Sequence, residues 1–399
     1  MFDDNKKGKR VAVIGGGPGG LSAGLALFNA GYDVQILERS PVIKPIGGAI
    51  LLNTSVLMCL RNMGVDITDL GVTARTEMCN MHGKLRVDMP FNPDVEAFSG
   101  IKGWNYGLFR SQLYERMLAH IPSSILQPGA ELQDFDLSDG EVRLTLKDGR
   151  TATADLLVGA DGIRSTVSRK LWGDPKLFPL DIVVNLGFTA IQGVDRSVGK
   201  LLFSDRVQFG YHPMNRDGVD AFEWWCVEAW PAGKPFNGSL KDHIRDLTDG
   251  FADPVPRIVE SCSGDRDIFR WEIWNRPRLK TWSKGRATLL GDAVHPASPY
   301  AAYGAGLAIE DGYFLAKFLA GRNLTDAAGL SASLAQYEAE REPYTYGVIK
   351  NAQNMGNLFH HAPAPLRKIR DFIFDHSRIP GSFIRAGYLR DSEAHVRKV

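Results

Sequence analysis

The sequence predicts an α/β fold with a Rossmann-like nucleotide-binding lobe, an inserted antiparallel β-sheet lobe and a helical C-terminal region. Three observations predict it: a strand–loop–helix–strand pattern near the N-terminus, alternating β-rich segments in the middle, and, after these segments, another short buried strand followed by a loop and a helix. We expect residues 1–174 and 275–399 to form the discontinuous nucleotide-binding lobe, and residues 175–274 the β-rich lobe. One face of the inserted sheet would then be free to cover a ligand.

Residues 11–38 carry the organising pattern. A short apolar run, typical of a buried strand, is followed by glycines in G-x-G-x-x-G spacing, a helix, and a second strand ending at Glu38. Gly15 allows the tight turn, Gly17 lets a pyrophosphate approach the backbone, and Gly20 packs helix on strand. The diphosphate would lie on the free N–H groups of the helix, and Glu38 would accept hydrogen bonds from ribose hydroxyls. The alternative is an ordinary glycine-rich turn, which the ordered series of elements disfavours.

Composition and charge narrow the class of protein. A chain of 399 residues is long for one core, and its 44% apolar and 23% charged residues are typical of a globular protein. A net charge of +1 argues against nucleic acid or an anionic membrane as the main partner. Residues 1–10 do not resemble a signal peptide, and no apolar run is long enough for a membrane span. The four scattered cysteines indicate reduced thiols; we therefore expect a cytoplasmic protein, and we expect no metal site.

Two segments follow that could contact a ligand. The glycine pair at Gly47 and Gly48 lies in a predicted loop and allows the backbone to approach something planar, although a simple turn explains it equally well. Arg110 lies at the start of a helix predicted over residues 108–120, where a cation opposes the helix dipole. This placement favours contact with a ligand phosphate or ring edge over a solvated charge.

Two later motifs end buried strands. Asp161 follows a strand in residues 155–169, in the crevice where such folds bind ligands, although alone it would be an ordinary Asp-Gly turn. Asp292 also follows a strand, and a rigid loop containing Pro296 and Pro299 leads to a helix over residues 306–319. The free N–H groups of that helix would point at whatever the loop cradles.

Weaker patterns predict the remaining elements. A helix is expected over residues 55–63 with Thr54 or Ser55 as N-cap, and a hairpin within residues 130–154. A helix over residues 331–360 should be interrupted near Pro343.

Three separated motifs, GGGPGG with Glu38, GADGIRSTVSR and GDAVHPASPY…GAGLAIEDG, together resemble the FAD-dependent class A flavoprotein monooxygenases. This is the para-hydroxybenzoate and salicylate hydroxylase-like group. The resemblance spans residues 11–320 and is much less specific for the substrate than for the family. It departs from the common Gly-Gln-Gly-Ala-Asn pattern at residues 302–306, where Tyr303 is expected to alter the flavin's edge.

The resemblance implies a set of FAD-binding positions. Asp292 would bind the ribityl chain, Arg110 would reach the flavin's phosphate or ribityl side, and Asp161 would serve FAD and the nicotinamide cofactor. The full set of expected cofactor-binding residues is Gly15, Gly17, Gly20, Glu38, Arg39, Gly48, Ala49, Arg110, Asp161, Asp292, Gly304, Ala305 and Gly306.

The resemblance also implies a reaction. NADH or NADPH would reduce FAD, O2 would form a flavin C4a-hydroperoxide, and that species would hydroxylate an aromatic or heteroaromatic small molecule. Epoxidation or Baeyer–Villiger oxidation of a biosynthetic intermediate is the alternative. A flavin reductase or a non-catalytic nucleotide-fold binding protein is a further, less favoured alternative. The intact Asp292 loop argues against a non-catalytic protein. We expect a monomer or a homodimer.

Substrate residues are expected on the inserted sheet. His212, with Tyr211 beside it, is the candidate to deprotonate or hydrogen-bond a substrate hydroxyl, because imidazole titrates near neutral pH. A structural or surface histidine is the competing interpretation. Adjacent tryptophans on a strand point to opposite faces, so only one of them can face the ligand. The expected substrate-binding residues are Phe209, Trp225 and Pro299.

Overall fold

The architecture comes from a computed structural model that describes residues 2, 4–43, 48–138, 140–216, 218–298, 300 and 302–399. Within these residues the strands are β1 (Arg10–Ile14), β2 (Asp33–Glu38), β3 (Ala49–Asn53), β4 (Val72–Asn80), β5 (Leu85–Met89), β6 (Asn105–Phe109), β7 (Leu126–Pro128), β8 (Leu132–Ser138), β9 (Glu141–Leu146), β10 (Thr151–Ala154), β11 (Leu156–Gly159), β12 (Phe178–Thr189), β13 (Val198–Phe203), β14 (Val207–Arg216), β15 (Val219–Ala229), β16 (Phe269–Asn275) and β17 (Ala287–Leu289). The α-helices are α1 (Pro18–Asn29), α2 (Thr54–Asn62), α3 (Pro93–Ser99), α4 (Arg110–His120), α5 (Thr166–Trp172), α6 (Leu240–Leu247), α7 (Val255–Ser261), α8 (Gly304–Leu319), α9 (Ala327–Gly356), α10 (Ala364–His376) and α11 (Ile379–Val396).

A parallel sheet with strand order β17-β11-β1-β2-β7 forms the nucleotide-binding lobe and confirms the predicted Rossmann-like fold. Every residue of β1 and β11 is buried, as expected for strands covered on both faces. The loops that follow β1, β11 and β17 leave the same edge of this sheet. The three sequence motifs therefore meet at its carboxyl end, where such folds bind ligands.

The small antiparallel sheet β10-β9-β8 contains the predicted hairpin. Gly149 adopts φ 86° in its turn, a backbone conformation that glycine tolerates without a side-chain clash.

A third, larger sheet has strand order β16-β12-β15-β14-β13-β4-β6-β3, with β5 paired to β4. The sequence-based division expected this sheet to come from residues 175–274 alone. It also contains β3, β4, β5 and β6, which come from the first 110 residues. The two groups join where β13 runs parallel to β4. This pairing links segments about 120 residues apart, so no local pattern could reveal it.

Several element boundaries differ from the sequence-based expectation. The N-cap of α2 is Asn53, whose side chain accepts a hydrogen bond from the Val56 N–H, and not Thr54 or Ser55. Helix α4 begins at Arg110 because the two residues before it end β6. Helix α9 continues through Pro343 without a break, and α7 was not predicted. Among the described residues, no helix is both long and apolar enough to span a bilayer.

Candidate functional site

One cavity of about 700 Å³ lies between the carboxyl edge of the parallel sheet and the large sheet. Segments that are far apart in sequence line it together: the loops after β1, β11 and β17, the start of α8, and the strands β3, β12, β15 and β16. It is large enough for a cofactor ring and a small ligand, since such pockets span roughly 300–1,000 Å³.

The loop after β1 leaves its backbone open to the cavity. Gly15 adopts φ +109°, and a Cβ there would lie 2.5 Å from the Ala160 carbonyl oxygen. A Cβ at Gly20 would lie 1.9 Å from the Gly15 carbonyl oxygen, so the helix and the turn can pack only with glycine. Gly17 lines the cavity, and no atom lies within 4 Å of the position its Cβ would take. No side chain caps α1, so its first N–H groups remain available to a diphosphate.

The acid at the end of β2 lies against the same loop. One carboxylate oxygen of Glu38 accepts a hydrogen bond from the Gly16 N–H at 2.6 Å, and the other accepts from the Ser40 N–H at 2.8 Å. Carboxylate oxygens accept more than one hydrogen bond each, so contact with a ribose hydroxyl is still possible. The adjacent Arg39 is exposed and does not line the cavity.

Asp161 acts as a local cap in the structure. Its carboxylate accepts hydrogen bonds from the Thr166 N–H at 2.6 Å, the Val167 N–H at 3.3 Å and the Ser165 hydroxyl, at the start of α5. Burial raises the pKa of Asp161, and these hydrogen bonds offset part of that effect. Its neighbours Gly162, Ile163 and Arg164 line the cavity, whereas Asp161 itself does not.

Arg110 and Asp292 also line the cavity. The Asp292 carboxyl is accessible from the cavity, and no hydrogen bond reaches it within the described part of the chain. Enclosure by the protein raises the pKa of Asp292, and the positive charges of His295 and Arg110 offset part of that rise. The Arg110 N–H donates to the Gly48 carbonyl at 2.9 Å, which fixes the start of α4 beside β3.

Close backbone approach occurs at Gly48, where a Cβ would lie 2.0 Å from the Phe188 ring of β12. This explains why glycine is required at that position, and Ala49 next to it lines the cavity. At the start of α8, Gly304 and Ala305 also line the cavity.

Gly306 has a packing role. A Cβ there would lie 2.5 Å from the Tyr303 ring, which packs against the first turn of α8. The Tyr303 hydroxyl turns into the protein and hydrogen-bonds to Glu310 and to the Ser55 hydroxyl, at 3.0 Å from the latter. The departure from the family pattern at Tyr303 therefore ties the loop to α2 and α8.

A buried charge cluster lies behind this loop, comprising His295, Glu310, Asp311, Arg341 and His395. Arg341 pairs with Glu310 at 3.0 Å and with Asp311 at 2.7 Å. His295 lies 2.5 Å from Asp311, and His395 lies 2.9 Å from Glu310. Burial would raise the pKa of both acids, but the neighbouring histidine and Arg341 outweigh it and lower each pKa to about 2. His295 is thus part of a buried structural cluster.

The large sheet forms the opposite wall of the cavity. Trp225 lies over Gly210, where a Cβ would lie 2.3 Å from the indole, and it lines the cavity with Val184 and Leu186. Trp224 points to the other face, where it is fully buried and stacks on Phe209 at 5.7 Å between ring centroids. Of the two adjacent tryptophans, Trp225 is therefore the one on the cavity side.

The structure corrects the expected position of three sheet residues. Phe209 and Tyr211 point away from the cavity into a core beneath α6 and α7, because side chains alternate along β14. His212 lies on the opposite face from them, but it is buried under Gly107 and Gly199 and does not line the cavity. Burial lowers the pKa of His212 to about 4, so its imidazole is neutral at pH ~7. Pro299 lies outside the described residues.

Sequence reasoning missed Glu223, a buried carboxyl that lines the cavity on β15. Burial raises the pKa of Glu223 to about 8, although the charge of Arg110 acts to lower it. A signal was available, because Glu223 and Trp225 are two residues apart and must share a face of the strand.

The residues present fit an FAD molecule: an open glycine loop at a helix N-terminus, an acid beside it, and Arg110 and Asp292 in the lining of the same cavity. The FAD binding domain family matches residues 9–352 of the chain. The aurachin C monooxygenase/isomerase of Stigmatella aurantiaca is 28% identical over 357 residues, covering 88% of this chain and 90% of that protein. The 6-hydroxynicotinate 3-monooxygenase of Bordetella bronchiseptica is 27% identical over 357 residues, covering 83% and 88%.

Solved structures share the fold. HpxO of Klebsiella pneumoniae, complexed with FAD and uric acid, superposes with a TM-score of 0.85 and 22% sequence identity, covering 98% of this chain and 99% of that chain. The match across most of the chain confirms the sequence-based resemblance and the expected FAD cofactor. The chain therefore belongs to the FAD binding domain family, as an FAD-dependent monooxygenase.

Proposed function

We propose that this protein hydroxylates an aromatic or heteroaromatic small molecule, with NADH or NADPH as reductant and O2 as oxidant. The observation that carries the proposal is the continuous cavity between the glycine loop and the large sheet. Its loop end presents the backbone and charges that suit a dinucleotide, and its sheet end presents apolar and aromatic side chains. The relatives support a heteroaromatic substrate, since one is named for 6-hydroxynicotinate and another was solved with uric acid.

The loop end of the cavity would bind the dinucleotide part of the cofactor. The backbone at Gly15, Gly17 and Gly20 would hold the pyrophosphate, and Glu38 would accept from the adenosine ribose. Ala49, Gly304 and Ala305 would contribute the backbone around the cofactor. Gly48 and Gly306 would act indirectly, by allowing the close packing of Phe188 and Tyr303, and Arg39 would not contact the cofactor. Asp161 would act indirectly, by fixing the α5 loop through its hydrogen bonds.

Asp292 and Arg110 would orient the cofactor ring. The Asp292 carboxyl faces the cavity without a protein partner among the described residues, so it is free to accept from ribityl hydroxyls. Arg110 supplies a positive charge on the same stretch of wall. When bound there, FAD supplies the oxygen-transfer chemistry, while the protein positions it and its substrate.

At the sheet end, Val184, Leu186 and Trp225 would exclude water from the reacting ring. With one dinucleotide fingerprint in the sequence, NAD(P)H would bind without its own Rossmann domain. We also propose a cytoplasmic location and a monomeric or homodimeric state; the four cysteines are all buried and unpaired, as reduced thiols would be.

The test uses protein reconstituted with FAD. Phenols, hydroxypyridines and purines are supplied in turn, while NADH or NADPH oxidation and product mass are followed. We expect at least one class to accelerate NAD(P)H oxidation and to yield a product heavier by one oxygen atom. If no ring compound gives an oxygenated product, and an alkene or ketone does, the enzyme is an epoxidase or Baeyer–Villiger oxygenase instead.

A further inference from the structure

Among the described residues that line the sheet wall of the cavity, Glu223 is the one buried acid. Glu223 is 5% exposed, and its side chain lines the cavity near Val184, Leu186 and Trp225. Within the described ranges, no hydrogen bond or ion pair reaches its carboxyl. Burying a carboxyl without a partner is costly, so its polar atoms are suited to a ligand that supplies the missing partners.

The groups that face Glu223 come from three elements. On β14, His212 is its cross-strand neighbour, and on β12 its neighbour is Phe188. Arg110, at the start of α4, contributes the one charge that acts on the Glu223 carboxyl. His212 is neutral near pH ~7, because burial lowers its pKa to about 4. The Glu223 carboxyl therefore lies in a largely apolar environment that raises its pKa, and the positive charge of Arg110 acts in the opposite direction.

A carboxyl in such a place is most stable in its neutral form. A neutral carboxyl carries an O–H donor and a carbonyl acceptor side by side. That pair is complementary to a planar ring edge with a donor next to an acceptor, such as a ring N–H beside a carbonyl. Flat apolar walls such as Trp225 would pack on the faces of the same ring.

We propose that Glu223 is the substrate-recognition group of the cavity, selecting heteroaromatic rings that present an N–H next to a carbonyl through two paired hydrogen bonds. This inference rests on the proposed function, because it names the ring that the hydroxylase selects. It also replaces His212 and Tyr211 as the polar contact to the substrate.

The pairing requires a protonated carboxyl, which sets the direction of the pH dependence. Burial raises the pKa of Glu223 to about 8, so the proton is present at neutral pH and lost above that value. Binding of a neutral ring should then be strong at pH ~7 and weaken toward pH ~9.5.

The experiment measures binding to the FAD-reconstituted protein by changes in flavin absorbance, with 2-pyridone and 2-quinolone as probes. Each probe has a matched N-methyl analogue that lacks the donor. We expect the wild-type protein to prefer the N–H compound by about 10- to 100-fold at pH ~7. Glu223→Leu should abolish that preference. Glu223→Gln, whose amide also offers a donor and an acceptor, should keep it within about fivefold but lose the decline at high pH.

Asp220→Asn serves as the matched control, because Asp220 lies on the same strand and forms an exposed ion pair with Arg196 at 2.9 Å. It should leave both the preference and the pH profile unchanged. The proposal is wrong if the wild-type protein binds both members of each pair equally, or if Glu223→Leu retains the preference. It is equally wrong if Glu223→Gln retains the pH dependence.

The outcome is separable from that of the proposed function. Oxygenation of phenols without any preference for N–H rings would overturn the recognition proposal and leave the hydroxylase assignment intact. Selective, pH-dependent binding without oxygenation of any ring would leave Glu223 as the recognition group and overturn the hydroxylase assignment.

Discussion

The loop end of the cavity is backed by buried ion pairs, whereas the sheet end is formed by apolar packing around one unpartnered acid. Behind the loop, Arg341 is paired with two buried carboxylates, at 3.0 Å to Glu310 and 2.7 Å to Asp311. At the sheet end, Glu223 and Trp225 share a face of β15, and the described residues offer the Glu223 carboxyl no partner.

The difference indicates which parts of the molecule can change without unfolding it. In the buried charge cluster, removing any partner leaves a charge in a low-dielectric interior, so the cofactor loop is held in one arrangement. At the sheet end, polar atoms are left for a ligand to satisfy. Substitutions there should change which ring binds and have less effect on folding.

The largest effect is expected at the centre of the buried charge cluster. Arg341→Met should lower the free energy of unfolding by about 5 kcal/mol, because two buried carboxylates lose the arginine that they share and each keeps, among the described residues, only a histidine as an ion-pair partner. Urea denaturation measures it. Glu340→Gln on the same helix, which breaks only the exposed pair with Lys398, should cost less than about 1 kcal/mol. Similar stability of the two variants would show that the cluster does not hold the loop end.

The adjacent tryptophans offer a sharper comparison of the two faces of the sheet. Trp224→Ala should lower the free energy of unfolding by about 3–4 kcal/mol, because it opens a cavity in the core beneath α6 and α7. Trp225→Ala should cost clearly less in stability and raise the KM for the substrate. Equal losses of stability, with KM unchanged in both variants, would contradict the assignment of Trp225 to the substrate wall.

Substitution of Asp292 tests whether this part of the cavity binds the cofactor. Asp292→Ala should raise the Kd for FAD by about 10- to 100-fold, because a carboxylate acceptor is lost, while the protein remains folded. Fluorescence titration of the apoprotein and circular dichroism check the two parts. Asp174→Ala, at an exposed position, is the control. Tight, stoichiometric FAD in the Asp292 variant would be incompatible with our placement of the ring.

The smallest effect concerns His212, whose role we consider structural. Its pKa falls from an ordinary 6.5 to about 4 on burial, so it stabilises the fold fully above 6.5 and progressively less as the pH drops toward 4. Between pH ~6.5 and pH ~5.5 the wild-type protein should lose about 1 kcal/mol more stability than His212→Gln. Denaturant titrations at both pH values measure this. Identical losses would show that His212 is not buried as a neutral group.

Local sequence was sufficient for the nucleotide-binding half. The glycines at positions 15 and 20 are required by backbone contacts with their immediate neighbourhood and with the strand beside them, so their spacing identifies the turn. Glu38, the acid that ends β2, and Asp292, the acid that follows β17, are likewise placed by the parallel sheet itself. This is why the predicted lobe and cofactor were confirmed.

The sheet half required the tertiary structure. Strand alternation shows that Phe209 and Tyr211 share one face and that Glu223 and Trp225 share another, but β14 and β15 carry apolar residues on both faces. Which face meets the cavity depends on where α6 and α7 pack, and on strands β3 and β6 from the first 110 residues of the chain.

The sequence by itself determined the dinucleotide loop, because Gly15 adopts a positive φ and Gly20 packs against the Gly15 carbonyl within the turn itself. Only the tertiary structure decided that Glu223 faces the cavity while Tyr211 is core, and that Arg341 crosses to Glu310 and Asp311. Those relations arise from contacts between distant segments, whose burial and pairing no local pattern of residues encodes.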